Sequence, residues 1–346
     1  MNKEKTGKPL MAFIDHSFHK NTKSGDFLRE LFAENFIITD YWDNSWMGED
    51  RVPVEEINKY DYVFYFQVLN PFKELKKITA KIIWAPMYDG IGKNNLYWKK
   101  LSLIPLKIIS FSEKVSHYCC KFKIESLKVK YYKNPEKYNY NLPKEGKHLF
   151  FWYRGNIKFS DLKKVLDPSQ IDSLTIRSNP DPGYAHEDIS QTDLKEFKIK
   201  IVNDNFISTE AYFDMLAKAN IFISPRKKEG IGMSFLEALA MGMCIIANNE
   251  ATMNEYLKNG ENGYLFNLNN GQKINLSHWE EVRENSKKLA TEGYGQWLKD
   301  KEKINNFISS TFTNKKTVGI IFQLNCLYLF SLENFKKIIT KATRRK

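Results

Sequence analysis

The chain has 346 residues, 42% of them hydrophobic and 27% charged, with a formal net charge of +12. This is the composition of a globular protein, and its length makes two domains the natural expectation, each able to bury its own core. Four cysteines (Cys119, Cys120, Cys244, Cys326) include an adjacent pair and no paired metal spacing. That excludes a disulfide framework and fits a reducing cytoplasm. The first nine residues lack an apolar h-region, so no signal peptide is expected. The positive charge suits nucleic acid, anionic lipid or a phosphorylated substrate. No nucleic-acid motif accompanies it and the lysines are scattered rather than striped, so nucleic acid is not expected as a partner.

In chain order, residues 9–14 (P-L-M-A-F-I) read as a first buried strand, ending at Asp15 and His16. A loop to Gly25 follows, in which His16 and His19 are by default exposed, and then a helix over 26–34. Further strands are expected at 36–39, 60–69, 81–85, 107–111 and 127–132. Their spacing, with helical stretches between, predicts βα units and a parallel sheet. After the fourth strand comes P-M-Y-D-G, where Asp89 is either a turn residue or, by its place at a strand end, a site residue. Residues 93–107 mix bulky apolar residues with lysines. They read equally as a membrane-surface patch and as a core helix with a solvated lysine face. Polar, tyrosine-bearing residues 134–146 form an interdomain linker.

The second half opens with H-L-F-F-W-Y at 148–153, followed by Arg154 and Gly155. Short strands follow at 173–177 and 200–202, then a helix over 212–219 and a strand at 220–224. The last leads into the stretch on which the chain turns, residues 225–242: P-R-K-K-E-G-I-G-M-S-F-L-E-A-L-A-M-G. Strand, glycine turn and helix N-terminus succeed one another, which presents backbone N–H groups to an anion. Glu229 falls in the turn and Glu237 in the first two turns of the helix. Ser234 to Glu237 is also S-x-x-E, a capping box in which Glu237 would only tie down its own helix. A short strand at 244–247 and the segment N-E-Y-L-K-N-G-E-N-G-Y-L-F at 254–266 complete the pattern.

This stretch resembles the retaining, nucleotide-sugar-dependent glycosyltransferases of the GT-B fold, in their fourth sequence family. The likeness rests on Glu229, the run E-A-L-A-M-G from Glu237, Glu255, and the G-x-x-G of Gly260 and Gly263. It is close over residues 217–266 and loose elsewhere. Ala251 and Thr252 stand where the family has paired glycines. The resemblance implies an α/β chain of two Rossmann-like domains facing each other across a cleft. These would be 1–143 for the acceptor and 144–300 for the nucleotide sugar, with a helical segment 301–346 crossing back to the first.

The resemblance also implies roles. Glu229 would hold hydroxyls of the transferred sugar and Glu237 the ribose. Arg154 would bind the donor diphosphate together with a lysine, Lys158 being nearest and Lys163 the alternative. The amides of Gly230, Ile231, Gly232 and Met233 and the hydroxyl of Ser234 would add donors to the phosphates, and Ile207 would lie against the base. In the first domain, Asp89 stands near where the family often places a histidine beside the sugar. No D-x-D motif occurs, so no metal or other cofactor is expected.

The chain from Trp279 onward reads as helical, with a break at 293–297 (G-Y-G-Q-W). Residues 318–330 are apolar but too short to span a bilayer, and the end is basic. The apolar stretch and basic end read either as a peripheral contact with an anionic membrane surface or as a docked core helix with a disordered tail. The resemblance implies a cytoplasmic retaining glycosyltransferase, the alternative being a nucleotide-sugar-binding protein that has lost catalysis. The transferase's donor is a nucleotide sugar, and its acceptor a saccharide or lipid-linked saccharide such as a surface polysaccharide or lipopolysaccharide precursor.

Overall fold

The computed structural model describes residues 7–203 and 208–312. Its contacts divide the chain into two units, Met1–Val129 with Lys301–Lys346, and Lys130–Asp300. Residues 130–143, read from the sequence as the end of the first domain and the linker, therefore group with the second unit. Ile207, the apolar run 318–330 and the basic end lie outside the described residues.

The first unit is built on six parallel strands: β1 (Leu10–Asp15), β2 (Ile37–Trp42), β3 (Tyr62–Phe66), β4 (Lys81–Ala85), β5 (Leu106–Ser110) and β6 (Ser126–Lys128). They lie in the order β2-β1-β3-β4-β5-β6. Every residue of β3 and β5 is buried, as expected of parallel strands covered on both faces. Phe13, Phe32 and Phe64 form one aromatic knot of this core, with Phe64 4.8 Å from Phe13 and 4.9 Å from Phe32. The lysine-bearing stretch 93–107 resolves into the helix Asn95–Leu101, which buries Leu96, Trp98 and Leu101. Its apolar residues thus serve the core. Asn94 caps it by accepting from the amides of Leu96 and Tyr97.

The second unit holds β7 (His148–Tyr153), β8 (Ser173–Ser178), β9 (Ile199–Asn203), β10 (Ile221–Ile223), β11 (Cys244–Asn248) and β12 (Tyr264–Phe266). All pair in parallel in the order β12-β11-β10-β7-β8-β9. The order reverses between β7 and β10, the position at which open α/β sheets leave a crevice beyond their carboxyl ends.

The helix Trp279–Ser309 runs without interruption through residues 293–297, where the sequence pattern places a break. The glycine serves packing there. A Cβ on Gly293 would stand 2.3 Å from Tyr132 Cε1, and Tyr132 is buried, so its ring has no room to withdraw. Gly293→Ala is expected to lose about 1–3 kcal/mol to this overlap. The better helix propensity of alanine returns up to about 1 kcal/mol, leaving a net destabilisation that urea unfolding will register. An unchanged midpoint would show that the Tyr132 ring moves aside freely.

Candidate active site

The carboxyl ends of β7 and β10, adjacent in the sheet, lead into the loops that carry Arg154 and Glu229. Arg154 follows β7 directly. Its Nε and Nη2 donate to one oxygen of Asp181 at 2.9 and 2.7 Å. The other Asp181 oxygen accepts from Arg226 Nη2 at 2.6 Å. Arg226, in the loop after β10, brings its Nε to 3.9 Å from Glu229 Oε1. One carboxylate thus ties together two guanidinium groups that arrive on different strands, and the second leads to Glu229. Arg154 also lies over the Trp152 ring at 4.8 Å, with Arg177 at 4.5 Å from the same ring. An arginine beside an indole keeps its charge while packing as an apolar plate.

After Glu229 the chain turns through Gly230, Ile231 and Gly232 into the helix Met233–Ala240. Gly232 is its N-cap, at φ 81°, and no side chain caps the helix. Side-chain-bearing residues avoid that backbone region, so the glycine is what lets the turn enter the helix. The amides of Met233, Ser234 and Phe235 have no acceptor inside the helix and stand as donors for an anion. Ser234 is already helical, so the capping box read from S-x-x-E does not form. The loop is held from behind, where the Glu229 amide donates to Ala251 O at 3.0 Å. Ala251 and Thr252 are fully buried at the place of the expected glycine pair.

Glu237 is engaged elsewhere in the same unit. Its Oε1 accepts from Lys133 Nζ at 3.0 Å. Oε2 makes no hydrogen bond among the described residues. Burial pushes the Glu237 carboxyl above the usual glutamate range, and the Lys133 ammonium draws it part of the way back.

Lys158 is exposed at the start of the helix Phe159–Val165 and does not join the arginines. The first amides of that helix are taken by Glu187, whose oxygens accept from Phe159 and Ser160 at 2.5 and 3.1 Å. Lys163 pairs with Asp193. The free amides of this unit's site therefore come from the helix after β10. Asp89 belongs to the first unit, partly exposed in the turn Met87 to Gly90 after β4. A cavity of about 800 Å³ also opens in the second unit, lined among others by Tyr138, Tyr140, Met241 and Arg283. It contains neither Arg154 nor Glu229, so the cavity and the convergent charges are separate features of this unit.

Sequence reasoning missed Asp181, Arg226 and Lys133. Arg226 was visible in principle, three residues before Glu229 inside the same stretch. Asp181, 27 residues beyond Arg154, carries no local signal.

Residues 195–310 match the family model described as Glycosyl transferases group 1. No curated protein matches the chain. Among solved structures, it is similar to the Anabaena HepE protein in complex with UDP and glucose. That similarity spans 88% of this chain and 100% of the other, at 11% identity and a TM-score of 0.60. Sucrose-phosphate synthase from Thermosynechococcus elongatus is similar over 86% of this chain and 98% of its own, at 11% identity and 0.57. A glycosyltransferase from Rickettsia africae is similar over 88% and 100%, at 14% identity and 0.57. The match to the group 1 glycosyl transferase model is thus confined to residues 195–310, and the chain as a whole has the two-unit α/β GT-B-like fold. Among the described residues, no helix is long and apolar enough to cross a membrane.

Proposed function

We propose that this protein is a retaining glycosyltransferase that moves a sugar from a nucleoside-diphosphate donor to a saccharide acceptor. The observation that carries the reading is the charge chain from Arg154 through Asp181 and Arg226 to Glu229, next to the uncapped amides of the helix Met233–Ala240. Transfer releases a nucleoside diphosphate, and the leaving charge needs fixed positive partners. Arg154 and Arg226 each keep part of their forks unused by Asp181, and a guanidinium fork matches phosphate oxygens. With the amides of Gly230 to Ser234 they supply this stabilisation without a metal ion. Lys158 stands outside that cluster and would have to swing toward the phosphates.

In this reading Glu229 receives hydroxyls of the transferred sugar and Glu237 Oε2 those of the ribose. Ile207 contributes main-chain contact to the base, and Asp89 acts from the first unit on the sugar or acceptor. The acceptor is a lipid-linked saccharide of a surface polysaccharide or lipopolysaccharide, reached from the cytoplasmic face with help from the basic end. UDP is the first donor nucleotide to test, since the Anabaena structure holds UDP and glucose.

Calorimetry with UDP, GDP and their sugars tests the site. Glu237→Ala is expected to weaken nucleotide binding by about 1.5–3 kcal/mol, about ten- to a hundredfold. Binding that survives the substitution would reduce Glu237 to a partner of Lys133, and absence of any nucleotide binding would remove the transferase reading.

The raised Glu237 carboxyl adds a pH dependence. The ionised form is the better hydrogen-bond acceptor for ribose. Affinity for UDP should therefore fall on acidification, beginning at a higher pH than the ordinary glutamate value of about 4.3 would give. Lys133→Met removes the cation that restrains the shift, so the midpoint should move further up. Calorimetry at a series of pH values checks both directions; a midpoint at the ordinary value in both proteins would count against Glu237 as the titrating group.

A further inference from the structure

The first sheet also reverses its strand order, between β1 and β3, and open α/β sheets bind ligands beyond the carboxyl ends of the strands at such a point. Both strands place polar chemistry there. β1 ends in Asp15 and leads at once to His16 and His19, and Gln67 follows β3. One potential ligand atom from each of Asp15, His16 and His19 lies within 4.8 Å of the others. Asp15 and His19 are buried, and the two imidazole centroids are 3.8 Å apart.

Two details set this cluster apart from an ordinary polar knot. His16 Nε2 meets Gln67 Oε1 at 2.9 Å. A carbonyl oxygen only accepts, so Nε2 carries the proton and Nδ1 keeps its lone pair. That Nδ1 is buried and has no hydrogen-bond partner among the described residues, an arrangement that costs stability unless something binds there. Gln67, which fixes the ring, is itself held at φ 68°, a region that residues other than glycine seldom occupy and that clusters at functional sites. Both Asp15 oxygens are engaged. Oδ1 takes the His16 amide at 2.8 Å and His19 Nδ1 at 2.6 Å, and Oδ2 takes Arg29 Nη2 at 2.9 Å. The bond to His19 Nδ1 leaves Nε2 as the nitrogen that His19 can offer an ion.

We propose that Asp15, His16 and His19 form a binding site for one divalent transition-metal ion of the zinc class. Two imidazoles and a carboxylate are a donor set that zinc accepts, and three protein ligands leave a fourth position for water or a ligand oxygen. Gln67 is the outer hydrogen-bond partner that metal-ligating histidines keep, and Arg29 plays that part for the carboxylate. The site belongs to the first unit and is independent of the nucleotide reading, which concerns the second.

The test uses the full chain, stripped with a chelator, dialysed, and titrated with Zn²⁺ by calorimetry and with Co²⁺ by visible absorption. One ion per chain is expected, with cobalt bands of a nitrogen–oxygen site. His16→Ala and His19→Ala each should weaken Zn²⁺ binding by roughly a hundredfold or more, and Gln67→Leu by about ten- to a hundredfold. Far-UV circular dichroism establishes that each variant is folded. If the histidine variants do not fold, the effect of Gln67→Leu decides. No bound ion in the wild type, or affinity unchanged in the folded variants, overturns the assignment.

Discussion

Lys107→Met is expected to destabilise the first unit by about 3 kcal/mol, read as a fall in Tm of about 6–12 °C. Lys107 sits in β5 among wholly buried residues and is itself 0% exposed. An ammonium there is tolerable only if its three donors are satisfied. They reach Phe307 O at 2.6 Å, Ser310 O at 2.9 Å and Ser310 Oγ at 2.6 Å. Glu125 stands at 3.3 Å, and the Phe307 and Phe312 rings at 5.0 and 4.5 Å. Phe307 and Ser310 close the helix Trp279–Ser309, whose last carbonyls have no partner within the helix and present a partial negative charge. The lysine therefore caps a helix end from within the sheet. Methionine conserves much of the volume, so lost packing is a minor part of the cost. Phe307 O keeps the Ser310 hydroxyl as a donor, so the larger part is Ser310 O left without its donor, at about 1–3 kcal/mol, together with the loss of the cation beside Glu125. Urea unfolding of the full chain measures the difference, and a midpoint within error of wild type would mean that the helix end finds other donors.

The sheets were largely legible in the sequence, because parallel strands buried on both faces are nearly continuous apolar runs. Residues 81–85 and 148–153 become β4 and β7 without change of boundary. Patterns that depend on long-range packing were not. Gly293 looks like a helix breaker and is instead the hollow that receives Tyr132. Ser234 and Glu237 have the spacing of a cap, but Gly232 takes the cap position at a positive φ, and Lys133, 104 residues away, claims the glutamate. His16 and His19 read as loop residues because nothing local reveals that β3 delivers Gln67 beside them. Of the nucleotide site, strand, turn and helix were readable as a local succession. The Asp181 that organises the two arginines was not.

Arg154→Ala and Arg226→Ala are each expected to lower kcat by about 10²–10³ with the donor sugar, the scale for removing one preorganised donor to a developing charge. Their effects should not add. Both guanidinium groups are held by the two oxygens of Asp181. Removing one leaves the other paired to a carboxylate that now has no second cation, so the survivor is drawn more strongly to Asp181 and away from the phosphates. The double variant should therefore lose less than the product of the single losses. Asp181→Asn keeps the size and removes the charge that aligns the forks. Asp181 repels the donor phosphates while holding the arginines in place, so its removal should raise KM only modestly. The larger effect should be on kcat, through lost alignment. Steady-state kinetics on the four proteins decides the matter. Multiplicative losses from the arginines, with a silent Asp181→Asn, would mean that two independent surface arginines happen to share a partner. Sub-multiplicative losses with kcat falling in Asp181→Asn would identify the three side chains as one unit acting on the leaving diphosphate.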